Sequence, residues 1–367
     1  MGSSRLSFVF LGLSITSSWG NGHATTYRGL VRELRARGHD VLFLERDARW
    51  YRENRDLPRP PYCRTELYGS LEELFARHCA DVARADVVIV GSYVPEGRKV
   101  GEWVLRTARG ARMFYDIDTP VTLRGLAEGS CEYLSSGLLR RYDLYLSFTG
   151  GKTLDRVEQL FGAARALPLY CSADTELYYP ESAPRRWTLG YLGTYSDDRQ
   201  PVLDSLLLRP ARARAQDRFV VAGPQYPGAI VWPENVERIE HVPPADHRAF
   251  YCAQRLALNI TRRDMVSAGF SPSVRLFEAA ACGTPILSDA WEGLGTFFEE
   301  GSEILVARSA ADVTRHLDGL TESARAKMGR KARARVLREH TAAHRAATLE
   351  RYVRELLGSR ERAVHPS

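Results

Sequence analysis

The chain has 367 residues, enough for two domains of ordinary size, and its 44% hydrophobic and 26% charged content is typical of soluble globular proteins. The net charge of +6 comes from arginines spread along the chain, without a basic block interleaved with aromatic residues. This pattern argues against nucleic-acid binding and suits small anionic ligands. The six cysteines have no CxxC or paired metal-ligand spacing, which indicates free thiols in a reducing cytoplasm and no structural zinc.

The first apolar run, residues 6–13, is too short to cross a membrane, and the polar ITSSWGNGH after it is a poor cleavage region. We therefore predict a cytoplasmic protein without a transmembrane segment. We assign residues 6–13 to the first buried strand. A glycine-bearing loop, a helix over 24–37 and a strand over 41–44 are predicted to follow it. This βαβ unit is the usual opening of a doubly wound α/β domain.

The same alternation of elements continues through the chain. In the first half we predict a long loop at 50–63, a helix at 71–79, a strand at 86–90, a helix at 97–109, and strands at 111–115 and 144–147. Gly151-Lys152 opens a helix, because GGKT lacks the first glycine of a P-loop. In the second half we predict strands at 188–192, 219–222, 236–239, 256–260 and 304–306, helices at 201–208, 247–253 and 310–320, and a basic helical segment at 324–357.

Two Rossmann-like domains follow from this pattern, over 1–173 and 174–340, joined through a linker-like stretch at 178–184. Residues 341–367 are predicted to be a C-terminal helix and tail packing back toward the first domain. The polar candidates follow the carboxyl ends of strands, where open parallel sheets bind ligands. Two such domains facing each other would form one interdomain cleft.

The stretch SPSVRLFEAAACGTPILSD, residues 271–289, carries the strongest chemical signal. Ser271 is predicted to cap a short helix with Pro272 at its first position, and Gly283 to end it before a strand from 286. Arg275 and Glu278 share one helix face. The free N–H groups near Ser271 suit a phosphate, and the carboxylate could accept two sugar hydroxyls. An ordinary surface Arg–Glu pair is the alternative.

RLFEAAACGTPILSD, with WEGL close behind, resembles the donor-site signature of GT-B glycosyltransferases, especially the retaining family 4 group. SSWGNGHATTYRGL, FLERDARWYRENRDLP, YDIDTPVTL, LPLYCSADTELYYP and LGTYSDDRQ extend the match to the CgeB-like glycosyltransferases. The resemblance implies an α/β fold of GT-B type and a nucleotide-sugar donor, and it leaves the acceptor open. One departure is Phe270, which stands where that group often has a second Glu.

The resemblance implies a donor site whose residues come from the second domain: Gly193, Thr194, Tyr195, Arg199, Arg262, Ser271, Ser273, Arg275 and Glu278. The first three would approach the diphosphate, the arginines would neutralise it, and Glu278 would bind the ribose. In the alternative interpretation, residues 193–199 form only a tight strand-to-helix turn, and one of Arg262 and Arg263 is merely exposed.

On the acceptor side, the candidates are Trp19, Gly20, Asn21, Gly22 and Tyr93. The catalytic candidates are His23, Asp116 and Asp118, which could orient a hydroxyl or act as a base. Asp116 and Asp118 alternate around one residue, so they face the same side of an extended segment. The alternatives are a capping or core histidine, an Asp118 that caps the next turn, and an Asp116 paired with an arginine.

The sequence therefore predicts transfer of a sugar from a nucleotide diphosphate sugar to a small-molecule, glycan or peptide acceptor. A UDP-sugar is the first choice of donor, ahead of GDP- and dTDP-sugars. We expect retention of configuration and no requirement for a metal or other cofactor. Three alternatives stay open: a nucleotide-sugar epimerase or hydrolase, a non-catalytic sugar-nucleotide-binding partner, and a nicotinamide oxidoreductase, which the acids at 45–47 suggest.

Overall fold

The computed structural model describes residues 5–20 and 22–364. The chain divides into two compact units. The first contains Met1–Cys171 and Ala342–Ser367, and the second contains Ser172–Thr341.

The first unit is built on a seven-stranded sheet in which every strand pair is parallel. Its strands are β1 (Ser7–Gly12), β2 (Asp40–Arg46), β3 (Arg64–Tyr68), β4 (Val87–Gly91), β5 (Ala111–Asp116), β6 (Leu144–Ser147) and β7 (Ala166–Pro168). They lie in the order β3-β2-β1-β4-β5-β6-β7. Every residue of β4 is buried, as expected of a parallel strand covered by helices on both faces.

The helices of this part of the chain are α1 (Gly22–Ala36), α2 (Arg49–Arg52), α3 (Leu71–Arg84), α4 (Gly97–Thr107), α5 (Thr119–Glu128), α6 (Ser136–Leu139) and α7 (Lys152–Gln159). Local sequence explains where α3 begins. The hydroxyl of Ser70 accepts a hydrogen bond from the N–H of Glu73, and two acidic side chains occupy the positive first turn.

The second unit has a six-stranded parallel sheet in the order β10-β9-β8-β11-β12-β13. The strands are β8 (Trp187–Leu192), β9 (Phe219–Ala222), β10 (Val236–Ile239), β11 (Gln254–Asn259), β12 (Ile286–Ser288) and β13 (Ile304–Val306). Its helices are α8 (Gln200–Leu203), α9 (Arg209–Ala213), α10 (His247–Cys252), α11 (Arg263–Ala268), α12 (Val274–Ala281), α13 (Ala310–Gly319) and α14 (Glu322–Glu339). The last helix of the chain, α15 (Ala342–Val364), packs on α1 in the first unit.

In each sheet the strand order reverses once. The reversal lies between β1 and β4 in the first sheet and between β8 and β11 in the second. Loops that leave the carboxyl ends of two such strands diverge and open a crevice where ligands bind. The predicted site residues lie largely in these loops. No helix among the described residues combines the length and the apolar character needed to span a bilayer.

Helix α2 overlaps the predicted long loop, strand β7 and helix α5 were not predicted, and four further local predictions need correction. Strand β3 falls after the predicted long loop and was not predicted. The predicted helix at 201–208 is interrupted by a π-helical stretch, Asp204–Leu208. The basic segment at 324–357 is two helices, because the carbonyl of His340 accepts a hydrogen bond from the N–H of Ala173 and Thr341 pairs with the same residue.

The fourth correction concerns the helix predicted from Ser271. Helix α12 begins at Val274, and its N-cap is Ser273, so Ser271 and Pro272 precede the helix. The hydroxyl of Ser273 makes no capping bond because it donates to the side chain of Asn259 instead. The predicted end of the helix is confirmed, since Gly283 has a φ of 71° in the left-handed region that glycine favours.

Candidate active site

Three arginines converge at the reversal point of the second sheet. Arg199 ends the loop after β8, Arg262 follows β11, and Arg275 lies in the first turn of α12. Burial lowers the pKa of Arg199, and the positive charges of Arg275 and Arg262 lower it further. No carboxylate of the described residues forms an ion pair with Arg199 or Arg275. The charges of Arg199 and Arg275 are therefore unbalanced, which favours an anion between the loops.

The guanidinium of Arg275 is held in one orientation. Its Nε donates to the carbonyl of Leu192 at 2.6 Å, and its Nη1 donates to Asn259 Oδ1 at 2.9 Å. The planar group lies 4.8 Å from the ring centroid of Tyr191. A Cβ built on Gly193 would lie 2.6 Å from the hydroxyl oxygen of Tyr191 and 3.0 Å from Arg275 Nη2, so glycine at this position leaves room for both side chains.

The backbone of the β8 loop is hydrogen-bonded within the second unit. The N–H of Gly193 donates to the carbonyl of Ala222 at 2.8 Å, and the N–H of Tyr195 donates to the carbonyl of Pro224 at 3.0 Å. The carbonyl of Thr194 accepts a hydrogen bond from Arg199 at 2.6 Å. The N–H groups of Gly193 and Tyr195 are therefore already engaged, and the carbonyl of Thr194 positions the side chain of Arg199. The approach of these three residues to a diphosphate stays a prediction.

A buried polar network, not predicted from the sequence, joins the ends of β11 and β12. Asn259 donates to the hydroxyl of Ser288 at 3.0 Å, and its Oδ1 accepts from Ser273 at 2.7 Å. Thr261 donates to Asp289 through both its N–H and its hydroxyl, at 3.0 and 2.9 Å. Burial raises the pKa of Asp289. The only signal in the sequence was a polar residue at the end of each apolar strand.

Glu278 is buried, with 5% of its surface exposed. The hydroxyl of Tyr251, at the end of α10, donates to Glu278 Oε2 at 3.0 Å. Burial and the charge of Glu278 raise the pKa of Tyr251 well above its ordinary value, so this phenol keeps its proton and remains a donor. No ion pair joins Glu278 to Arg275 in the described chain, so the surface-pair alternative is wrong.

The residues just before α12 have unusual backbone geometry. Phe270 has a φ of 45°, a region that non-glycine residues rarely adopt. Its N–H donates to the carbonyl of Glu292 at 2.6 Å, and its ring lies against Gly293, where a Cβ would come within 2.5 Å. Ser271 is buried next to it. The aromatic side chain at 270 therefore packs against the loop after β12.

In the first unit, the loop after β1 is fixed by two carboxylates. Buried Glu45 accepts hydrogen bonds from Ser14, Ile15 and Thr16, at 2.6 to 3.0 Å. Asp56 accepts from both the N–H and the hydroxyl of Ser18, and the charge of Arg28 helps hold its pKa at about 2 against the opposing effect of burial.

The acceptor-side candidates lie in and after this anchored loop. Trp19 is 38% exposed, Gly20 has a φ of 58°, and Gly22 is the first residue of α1. Asn21 lies outside the described residues.

Three candidate side chains form a line across the reversal point of the first sheet. The rings of His23 and Tyr93 have their centroids 5.4 Å apart, and Tyr93 donates its hydroxyl proton to Asp118 Oδ2 at 2.9 Å. Burial lowers the pKa of His23 to about 4, so the imidazole is neutral near pH 7. Tyr93 itself has a φ of 62°, which is strained for a tyrosine. Asp118 is the N-cap residue of α5, but its side chain makes no capping bond.

Asp116 is placed differently from the other catalytic candidates. It is completely buried, and its carboxylate accepts hydrogen bonds from Thr122, Tyr145 and the N–H of Asp118. Burial raises its pKa to about 6. Because no part of Asp116 is exposed, direct contact of its carboxylate with a substrate does not fit this structure. Its partners are two hydroxyls and an amide, so the alternative of an arginine partner does not fit either.

Among residues 5–20 and 22–364, no group of three or more His, Cys, Asp or Glu side chains is arranged to hold a metal ion. The prediction of metal-independent chemistry remains a prediction.

Residues 199–351 match a protein family described as glycosyl transferase-like. Solved structures match nearly the whole chain. Sucrose-phosphate synthase from Thermosynechococcus elongatus aligns with a TM-score of 0.71 and 16% identity, over 97% of this chain and 100% of that one. Anabaena Alr3699/HepE in complex with UDP-glucose aligns with a TM-score of 0.69 and 13% identity, over 97% and 100%.

An alpha-glucosyltransferase in complex with UDP-glucose and DNA containing an abasic site aligns with a TM-score of 0.69 and 12% identity, over 92% and 96%. No curated protein sequence is similar enough to this chain to count as a relative. The predicted fold class, two Rossmann-like α/β units of GT-B type, is confirmed by the two parallel sheets and these similarities. The glycosyl transferase-like domain over 199–351 confirms the predicted enzyme class at that level.

Proposed function

We propose that this protein transfers a hexose from a UDP-sugar to an acceptor hydroxyl. The observation that carries the proposal is the convergence of Arg199, Arg262 and Arg275 beside the start of the helix that holds buried Glu278. A nucleoside diphosphate offers the two matching groups, a charged diphosphate and a ribose with two hydroxyls. Proteins of similar fold have been solved with UDP-glucose bound, which supports uridine as the base.

On the donor side, Arg275 and Arg199 would meet the negative charge that develops on the departing diphosphate. Fixed guanidinium groups stabilise such charge without reorganising during the reaction. Arg275 is already held by a backbone carbonyl and by Asn259, so little entropy is lost when it engages the ligand. Arg262 and the first turn of α12, with Ser271 and Ser273, would complete the phosphate site, and Glu278 would accept hydroxyls of the ribose.

On the acceptor side, Asp118 and His23 are the candidates for orienting the attacking hydroxyl. Asp118 accepts a hydrogen bond from Tyr93, and neutral His23 can accept a proton. Asp116 is a positioning residue in this proposal, because its buried carboxylate holds the N–H of Asp118 and the hydroxyl of Thr122. Trp19, Gly20 and Gly22 would border the acceptor, which is a small molecule, glycan or peptide.

The finer parts of the proposal come from the sequence resemblance. The CgeB-like motifs and the family 4-like donor signature favour retention of configuration and chemistry without a metal. In that mechanism the departing phosphate helps to deprotonate the acceptor. Because Phe270 replaces the glutamate often found there, the hexose hydroxyls need contacts from other residues.

The test is a thermal-unfolding panel of UDP-, GDP- and dTDP-sugars on the wild type and on Glu278→Gln. Ligands that bind the folded state raise the melting temperature by mass action. We expect UDP-sugars to stabilise the wild type and to lose most of this effect in Glu278→Gln, which retains the side-chain size and an acceptor for Tyr251. Glu234→Gln is the matched control, since Glu234 is exposed in the same unit.

Product analysis with UDP-glucose then separates transfer from its alternatives. Transfer predicts that consumption of the donor depends on an added acceptor. Rapid donor turnover without an acceptor would support an epimerase or hydrolase, and tight binding without turnover across many acceptors would support a non-catalytic partner. A protein that is stabilised by NAD(H) and by no nucleotide sugar would overturn the proposal.

A further inference from the structure

We propose that the second unit contains a separate binding site for a compact, multiply charged phosphate anion. The site is a cavity of about 490 Å³ between α14, the carboxyl end of α12 and the segment at 180–185. Four arginines line it: Arg185, Arg325, Arg330 and Arg333. None of the residues that we assign to the donor lines this cavity.

The positive charge in the cavity exceeds the negative charge. Two hydrogen bonds, of 2.8 and 2.6 Å, join the guanidinium of Arg325 to the carboxylate of Glu322. Arg185 Nη2 lies 3.6 Å from an oxygen of the same carboxylate. Glu181, the carboxylate in the lining, is paired with Arg248 at 2.5 Å. When the partners outside the lining, Glu322 and Arg248, are counted with the four lining arginines and Glu181, the group has five arginines and two carboxylates. The surplus of three positive charges fits a polyvalent anion.

Arg330 and Arg333 account for much of that surplus. Within the described chain, neither forms an ion pair or a hydrogen bond. The Nε of Arg333 is also buried without an acceptor. A buried N–H without a partner is costly, and an anion in the cavity would provide the missing acceptor. The two residues lie three apart on α14, so they share one helix face.

The wall between the cavity and α12 is closely packed. A Cβ on Gly329 would lie 2.1 Å from the carbonyl oxygen of Gly283, so the backbones of α14 and of the turn after α12 are in direct contact. The volume suits a small molecule and is too small for a folded partner. Guanidinium groups bind phosphate through paired N–H donors, which makes phosphate the ligand class that several arginines recognise best.

Calorimetric titration with inorganic pyrophosphate at constant ionic strength tests this site. Because the candidate donor site should also bind pyrophosphate, the titration is repeated in Arg275→Gln, which removes a donor-side charge. We expect the cavity site to persist in Arg275→Gln and to weaken at least about tenfold when Arg330→Gln and Arg333→Gln are added. Adding Arg338→Gln and Arg351→Gln instead removes the same charge from exposed positions outside the cavity and should leave binding unchanged.

Cys252 provides a local reporter because it lines the same cavity. In Arg275→Gln, bound pyrophosphate should slow the alkylation of Cys252 by iodoacetamide, which peptide mass spectrometry measures. In the variant that also carries Arg330→Gln and Arg333→Gln, pyrophosphate should not change the alkylation rate. Absence of binding in Arg275→Gln, equal loss in the control variant, unprotected Cys252, or equally tight binding of citrate would each overturn the proposed phosphate site. These outcomes do not depend on whether the donor proposal holds.

Discussion

Arg275 combines a charge that no described carboxylate pairs with and a geometry set by Leu192 and Asn259. Replacing it in Arg275→Gln should weaken UDP binding by about tenfold to a hundredfold, because a hydrogen bond to a charged group contributes about 1.5–3 kcal/mol. Calorimetry with UDP measures the change. Arg263→Gln is the control, since Arg263 is exposed and only its backbone N–H contacts the site, through Asp198. Equal affinity of Arg275→Gln and wild type would contradict a diphosphate contact.

Asp116 predicts a pH dependence of stability. Its pKa rises from the ordinary value near 3.8 to about 6 in the folded protein because the carboxylate is buried. Between these values the folded state holds a proton that the unfolded state has lost, so the Asp116 contribution to stability is present below about pH 4 and is lost as the pH rises through about 6. Asp116→Asn cannot ionise. We expect its stability relative to the wild type to increase by about 2 kcal/mol between about pH 4.5 and pH 7.5, out of about 3 kcal/mol over the complete titration.

Urea unfolding of both proteins between about pH 4.5 and pH 7.5 measures this difference. The prediction concerns how the difference in unfolding free energy changes with pH. The amide of Asn also alters the hydrogen bonds to Thr122 and Tyr145, and this adds a contribution that does not depend on pH. A difference between the two proteins that stays constant over the range would show that Asp116 does not bind a proton there.

The sequence singles out individual residues most readily where one helix face suffices. Arg275 and Glu278 could be singled out because their spacing places them on one face of a short helix. Asn259 and Asp289 could not be assigned roles, because their partners lie across two neighbouring strands. Asp116 was misjudged for the same reason. Alternation along a strand gives the direction of a side chain but does not reveal that Tyr145, from the next strand, covers it.

At the scale of elements, the contact between α14 and the turn after α12 has an unusual requirement for glycine. Gly→Ala in a helix normally stabilises a protein by about 1 kcal/mol. At Gly329 the added methyl group would meet the carbonyl of Gly283, so we expect Gly329→Ala to destabilise the protein by about 1–3 kcal/mol. The measurement is the free energy of unfolding in urea.

Gly358→Ala is the control for this prediction, since it lies inside α15 and its nearest neighbour is the flexible end of Arg362, at 3.6 Å. It should be neutral or stabilising. Stabilisation by Gly329→Ala of the size seen at Gly358 would mean that the two backbones can separate at little cost.

Elements were predicted best where apolar runs are continuous. Strands β6, β9 and β13 have the predicted bounds, since buried parallel strands leave a clear signature. Strand β3 was missed because it lies at the sheet edge and its sequence, RTELY, is mostly polar. The break between α14 and α15 was missed because no Pro or Gly marks it and the pairing of Thr341 with Ala173 is made across the fold.

For the whole molecule, two α/β units could be inferred because the pattern of strand, loop and helix begins twice along the chain. Which strands lie side by side could not be read from periodicity, and the sheet reversals that position both candidate sites depend on that order. The local pattern does not identify the GT-B fold type or the class of donor, and both expectations came from the resemblance to glycosyltransferase motifs.

The second unit is one continuous segment, Ser172–Thr341, with its own sheet, its own core and every candidate donor residue. We therefore expect a fragment of residues 172–341 to fold alone and to bind UDP within about tenfold of the full-length affinity. Circular dichroism and UDP titration provide the measurement. A folded fragment without UDP affinity would mean that the donor site needs residues of the first unit.

The first unit should behave differently, because it is built from two separate stretches of chain. Helix α15 covers α1, and its Ala346, Leu349 and Val353 are fully buried. Arg345 donates to the carbonyls of Tyr170 and Cys171. A fragment of residues 1–171 would expose this apolar face and leave those carbonyls without their donor, so we expect it to unfold without a cooperative transition. Joining 342–367 to it through a flexible Gly/Ser linker should restore cooperative unfolding, since the linker supplies connection without structure. If 1–171 alone unfolds as cooperatively as the joined protein, α15 is an accessory to the first unit and not part of its core.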